Sequence, residues 1–151
     1  MKLALWILAV VVVAVVAVAI RVRTAPMDPA RWHADPATAE PPATPNFALL
    51  RGSEAPVIAA DVPAVAARLD GIARTEGAER LAGNAADGLV TYVVRSRIMG
   101  YPDAVSVRLS PVDGGTRVEL FSRSRFGRSD LGVNAARVQR WTDALRDRTG
   151  P

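Results

Sequence analysis

Leu3 to Ile20 is an unbroken run of 18 apolar residues, seven of them Val and five Ala. A helix of that length extends about 27 Å, close to the roughly 30 Å hydrocarbon core of a bilayer. Lys2 precedes the run, Arg21 and Arg23 follow it, and Trp6 lies near one end. The competing reading is a cleaved signal peptide over residues 1–19, because Ala17-Val18-Ala19 has the form of a cleavage site. Two facts oppose cleavage. The run exceeds the roughly 7–15 residues of a signal's apolar region, and arginines directly after the site hinder translocation. The reading adopted is a transmembrane anchor over residues 1–23. Positive charge is balanced across the segment, so orientation rests on Lys2 beside the amino terminus. That arrangement resembles a secretory signal-anchor and favours a domain outside the cytoplasm.

The chain is 50% apolar, but without the first 20 residues the figure falls to roughly 43%, enough for one modest core. Its length of 151 residues accommodates a single domain. The absence of cysteine excludes a disulfide scaffold, a zinc ribbon and a thiol nucleophile. Seven of the 11 prolines fall between Pro26 and Pro56. Proline lacks the N–H and restricts its neighbour, so residues 24–56 read as a semi-extended tether with a reach of about 35 Å.

The folded domain is expected over residues 57–149. Asp61 caps a helix in which Val62, Val65, Leu69 and Ile72 form one apolar stripe, ending near Gly77. Four strands follow between strong turn signals: Glu79–Gly83, Leu89–Met99, Ala104–Ser110 and Thr116–Arg125. A second helix, Val133–Asp147, carries Val138, Trp141 and Leu145 on one face. The order αββββα implies a small two-layer α+β domain, a four-stranded antiparallel meander with both helices on one face.

Alternation assigns the strand faces. Val90, Tyr92, Val94, Ile98, Val105, Val107, Leu109, Val118 and Leu120 face the helices. The opposite face gathers Arg95, Arg97, Arg108, Arg117, Arg123 and Arg125 against Glu119. Residues 91–128 hold seven Arg and three acids, a surplus of +4 equal to the net charge of the whole chain. One reading is a solvated outer face whose arginines pair with Glu119, Asp103 or Asp130. The other is an anion-binding surface, since guanidinium forks on a rigid sheet suit phosphate or carboxylate. Only Tyr101 and Phe121 are available for base stacking, which argues against nucleic acid.

The segment from Ser122-Arg123-Ser124-Arg125 through Gly127 and Ser129-Asp130-Leu131-Gly132 to Asn134 and Arg137 joins the last strand to the last helix. With Tyr92–Arg97, Tyr101-Pro102-Asp103 and Asp28–His33, it resembles the signature of domain-of-unknown-function family 1499, found in bacteria and plastids. The match spans about residues 28–148. The resemblance implies a small α+β domain behind a membrane or export segment and supplies no activity. With it, the anchor reads as a single pass in a bacterial inner membrane, the domain periplasmic.

At the junction, Asp130 or Asn134 can cap the last helix, or the helix N–H groups with Arg125 and Arg128 can hold an anion. Asp103 and Asp130 can form a carboxylate pair if their loops converge; the reading preferred is structural pairing of each with arginine. His33 is the only histidine and lies in the expected tether, so a Ser–His–acid triad requires the tether to fold back. No metal-ligand spacing occurs, and no cofactor is implied. Ser96, Ser122 and Ser124 share the apolar-side register and can line a pocket.

The function expected is a membrane-anchored binding or scaffolding module. Its tentative anion ligands are Arg95, Arg97, Arg123, Arg125 and Arg128, its junction residues Asp103, Asp130 and Asn134. A lipid headgroup or acidic envelope component is the expected partner. The alternatives are a small hydrolase-like enzyme and an accessory subunit of a membrane complex.

Overall fold

A computed structural model describes residues 1–147 of the chain. Helix α1 (Lys2–Arg23) is long and apolar enough to cross a membrane by length and composition, and its apolar window makes no burial inside the protein. Two helices pack on one face of an antiparallel sheet: α3 (Val62–Thr75) and α4 (Val133–Arg146), after a single-turn α2 (Pro29–Trp32). The sheet contains β1 (Phe47–Leu50), β2 (Val57–Ile58), β3 (Glu79–Asn84), β4 (Leu89–Arg95), β5 (Pro102–Val112) and β6 (Gly115–Ser124). The strands run in the order β1-β6-β5-β4-β3, with β2 also paired to β6. The expected α+β meander is therefore β3 to β6, and its edge is extended by two strands. The expected end of the domain at residue 149 lies outside the described residues.

Local chemistry places these elements. Asp61 accepts a hydrogen bond from the Ala64 amide at 3.0 Å and starts α3, with Pro63 in the first turn where no N–H is needed. Val65, Leu69 and Ala73 then meet Val138, Trp141 and Leu145 of α4 over the sheet's apolar face. That face is the expected one, carrying Val90, Tyr92, Val94, Val105, Val107, Leu109, Val118 and Leu120, all buried. Asp113-Gly114 closes the β5–β6 hairpin, Gly114 taking the left-handed conformation that a tight hairpin loop demands.

Two expectations about the strands are corrected. The strand expected over Leu89–Met99 ends at Arg95, because the chain turns back so that Pro102 pairs opposite Arg95. Within that turn the Ser96 amide donates to the Tyr101 carbonyl and the Gly100 amide to the Ser96 carbonyl. Ile98 thus leaves the apolar face and is exposed.

Residues 24–56 are not a free tether either. Their second half supplies β1, which pairs along β6 from Phe47 opposite Arg123 to Leu50 opposite Leu120. Their first half is a strap laid across the sheet's other face, whose centre is consequently buried. Thr91, Ala104 and Ser106 are fully buried, and Val93, Phe121 and Arg123 nearly so.

The strap is held by the arginine row itself. Arg95 donates to the Ala25 carbonyl, and Arg125 contacts the Met27 sulfur while lying over Phe126. Arg123 donates to the Trp32 carbonyl at 2.5 Å, and Arg108 makes a two-pronged contact with Asp35. Glu119 accepts from the Gly52 amide at 2.8 Å. The face that alternation presents as solvated or anion-binding is the dock for the chain's own preceding segment.

Candidate functional site

The strand–helix junction after β6 builds one connected polar cluster. Ser122 and Ser124 project from β6 on the helix side, as their register requires. The Ser122 hydroxyl donates to Asn134 Oδ1 at 2.6 Å, and Asn134 Nδ2 donates to the Ser124 hydroxyl at 2.9 Å and the Asn46 carbonyl at 3.1 Å. Arg137, one turn further along α4, donates to Ser122 and Asn134 at 2.9 Å and to Asp103 Oδ2 at 2.9 Å. Glu76 adds a second carboxylate 3.8 Å from Arg137 Nε. The Arg137 and Asp103 side chains are only 5% and 10% exposed, so the pair is a buried one.

Asp130 anchors the loop in front of α4. Its carboxylate accepts from the Gly132 amide at 3.2 Å and from the Asn134 amide at 2.7 Å. Burial raises this carboxyl, but the amide donors of Asn134 and Gly132 outweigh it and hold the group below the usual carboxylate range. Leu131, between them, has a left-handed backbone (φ 53°), the only non-glycine residue described that does.

Beside this cluster a cleft of about 580 Å³ opens between the junction and the last turns of α1. Val18, Arg21 and Val22 form its α1 wall. Tyr101, Phe126 and Val133 face them, and Ser96, Asp103, Ser124 and Asp130 supply the polar part of the lining. The end of α1 is fixed to the domain by Arg23, which donates to the Ile98 carbonyl.

The expected site residues therefore separate. Arg123 is committed beneath the strap, stacked on Phe121 and Trp32, and burial without a carboxylate pulls its guanidinium down to about 10. Arg95 and Arg125 are engaged by the strap as well. Arg97 and Arg128 are exposed and make no ion pair among the described residues. Asp103, Asp130 and Asn134 come together in the junction cluster, but the residue that caps α4 is Gly132 and not Asp130 or Asn134. Asp130 holds the helix start from two residues earlier through the Gly132 and Asn134 amides, and makes no arginine ion pair among the described residues. Ser122 and Ser124 join them, whereas Ser96 lies on the turn and lines the cleft.

Sequence reasoning missed Asn46, Glu76 and Arg21 as members of this region. Asn46 donates to the Gly127 carbonyl at 2.8 Å and so ties β1 to the junction, a link between residues 81 positions apart that no local pattern encodes. His33 does fold back, onto Thr91 at 2.9 Å, and Thr91 in turn meets Ser106 at 2.9 Å. These hydroxyls are fully buried beneath the strap, away from the cleft. Among the described residues no group of three or more His, Asp or Glu is placed to hold a metal ion.

No curated protein and no solved structure matches the chain. One family model does, over residues 21–145, from the end of α1 to the last turn of α4. That match takes in the strap, the whole sheet and the junction cluster, so the chain belongs to the family described as Protein of unknown function (DUF1499).

Proposed function

We propose that the protein is a membrane-anchored binding module that holds an anionic amphiphile, such as a phospholipid of its own membrane, in the cleft at the end of α1. The anchor is α1, in a bacterial inner membrane, with the domain on the periplasmic side. The observation that carries this reading is the composition of the cleft. Its apolar side is built from the α1 residues Val18 and Val22 together with Tyr101, Phe126 and Val133, a lining suited to hydrocarbon. Arg21 is in the lining, and Arg128 lies between the lining residues Gly127 and Ser129. Both guanidinium groups are exposed and lack a carboxylate partner among the described residues, as a phosphate-binding rim requires.

Binding is favoured over hydrolysis by the state of the polar groups. The Ser124 hydroxyl already accepts from Asn134, Asp103 is paired with Arg137, and Asp130 is held by backbone amides. No histidine stands beside Ser124 to act as a base, His33 being bonded to Thr91.

Native mass spectrometry of the full chain released from membranes tests the proposal. Anionic phospholipid adducts are expected on the wild type, and the doubly substituted Arg21→Gln, Arg128→Gln chain should lose most of them. Adducts that survive the substitutions and are insensitive to added salt overturn it.

A further inference from the structure

We infer that the domain also docks on the bilayer, dipping its 96–101 turn and its 127–132 loop into the headgroup layer around the exit of α1. Beyond residue 23, five large apolar side chains are exposed among the described residues. Four of them, Ile98, Tyr101, Leu131 and Val133, lie in or beside these two segments, and Ile98 and Leu131 are 84% and 95% exposed. The fifth, Val57, pairs opposite Arg117, seven residues up β6 from Ser124 and about 23 Å from this end of the sheet.

Leu131 combines full exposure with a left-handed backbone, a conformation unfavourable for a branched side chain. It is held there by Asp130, which accepts from the amides on its far side, and by the Ser129 hydroxyl, which accepts from its own amide at 3.3 Å. In water neither property brings Leu131 a packing contact. In an interface both become useful.

Depth is given by α1. Val18 lies five residues before Arg23, about 7–8 Å along the helix axis. The apolar run is no longer than the hydrocarbon core, so in a spanning helix Val18 is within the bilayer. Yet Val18 shares one cleft with Tyr101, Phe126 and Val133. Segments that wall a cleft with Val18 stand at the boundary between headgroups and chains. Their unpaired charges are Arg97 and Arg128, while Asp103 and Asp130 are engaged inward. Exposed arginines beside apolar tips complement an anionic leaflet, the arrangement of an interfacially docked protein.

The inference rests on the reading of α1 as an anchor, and the experiment separates the two. Because the chain has no cysteine, single cysteines at Val13→Cys, Ile98→Cys, Leu131→Cys and Val57→Cys can each carry an environment-sensitive fluorophore. The full chain is reconstituted in vesicles of phosphatidylcholine and phosphatidylglycerol. Labels at Ile98→Cys and Leu131→Cys are expected to lose emission to nitroxides placed near the lipid headgroup and to resist aqueous iodide. The Val57→Cys label should show the reverse, and Val13→Cys should respond to nitroxides deep in the chains. A buried Val13→Cys label with iodide-quenched labels at Ile98→Cys and Leu131→Cys overturns docking and leaves the anchor standing. A Val13→Cys label out of reach of deep nitroxides overturns both. Labels at Ile98→Cys and Leu131→Cys shielded from lipid and iodide alike point to burial against a second copy of the chain and also overturn docking.

Discussion

Arg137 shows how much of this fold depends on single buried charges. Its partner Asp103 is buried with it, so truncating the arginine strands a carboxylate in a poorly solvated site. Arg137→Met should cost about 3–5 kcal/mol of stability, and adding Asp103→Leu should recover much of that loss. Urea unfolding of the two variants checks the pair; equal stability of Arg137→Met and wild type would dismiss it. Asp35 sets a pH response on the opposite face. The Arg108 hydrogen bonds hold its carboxyl below the ordinary value of 3.8, outweighing the opposing effect of burial. A depressed folded-state pKa means that the stabilisation is complete above the unfolded value and is lost as pH falls through the folded one. Asp130 follows the same sign. Denaturant midpoints measured between about pH 6 and about pH 3 should therefore fall more for the wild type than for Asp35→Asn. Identical acid losses would remove Asp35 from the account. For Asp130→Ala, the loss of the contacts that start α4 should cost about 1 kcal/mol.

Among the elements, β2 is the shortest and the most exposed to test. It pairs with β6 through Val57 opposite Arg117 and Ile58 opposite Thr116, next to Gly115. Gly115 has φ 144°, and a Cβ there would lie 2.0 Å from the Ile58 carbonyl oxygen. Gly115→Ala should displace β2 and speed amide exchange at Val118, whose N–H is bonded to the Pro56 carbonyl at 2.9 Å. Unchanged protection at Val118 would contradict that reading. The same contrast explains which elements can be read from the sequence. Strands β3 to β6 are legible because alternation and turn residues bound each one, and α3 is legible from Asp61 and its stripe. Strands β1 and β2 are not, since four and two residues are too few for a period, and the surrounding prolines argue for a linker. The strap is hidden for another reason. Two of its fastenings, at Ala25 and Trp32, are backbone carbonyls taking up arginine donors, and a carbonyl has no residue identity to read. The Arg108–Asp35 pair joins residues 73 positions apart, which no local pattern encodes. The junction was legible as a strand-to-helix segment with Asp130 at the helix start, but its ties to Asn46 and Glu76 depend on tertiary folding.

At the scale of the whole molecule, α1 and the domain are nearly separable. The apolar window of α1 is not buried by the domain, while Val22 and Ala25 are, so the structural boundary falls close to residue 21. A chain lacking residues 1–20 should keep its thermal unfolding midpoint within a few degrees of the full chain, about 1 kcal/mol at most. A large drop in differential scanning calorimetry would show that the domain core needs the helix. What the boundary does not contain is slack. Thr24 alone separates the last residue of α1 from Ala25, whose carbonyl is already bonded by Arg95 on the sheet. In an anchored chain such a short connection cannot swing the domain outward to meet distant partners. Its encounters with other membrane-bound molecules then run by lateral diffusion, a two-dimensional search governed by lipid mobility and surface density.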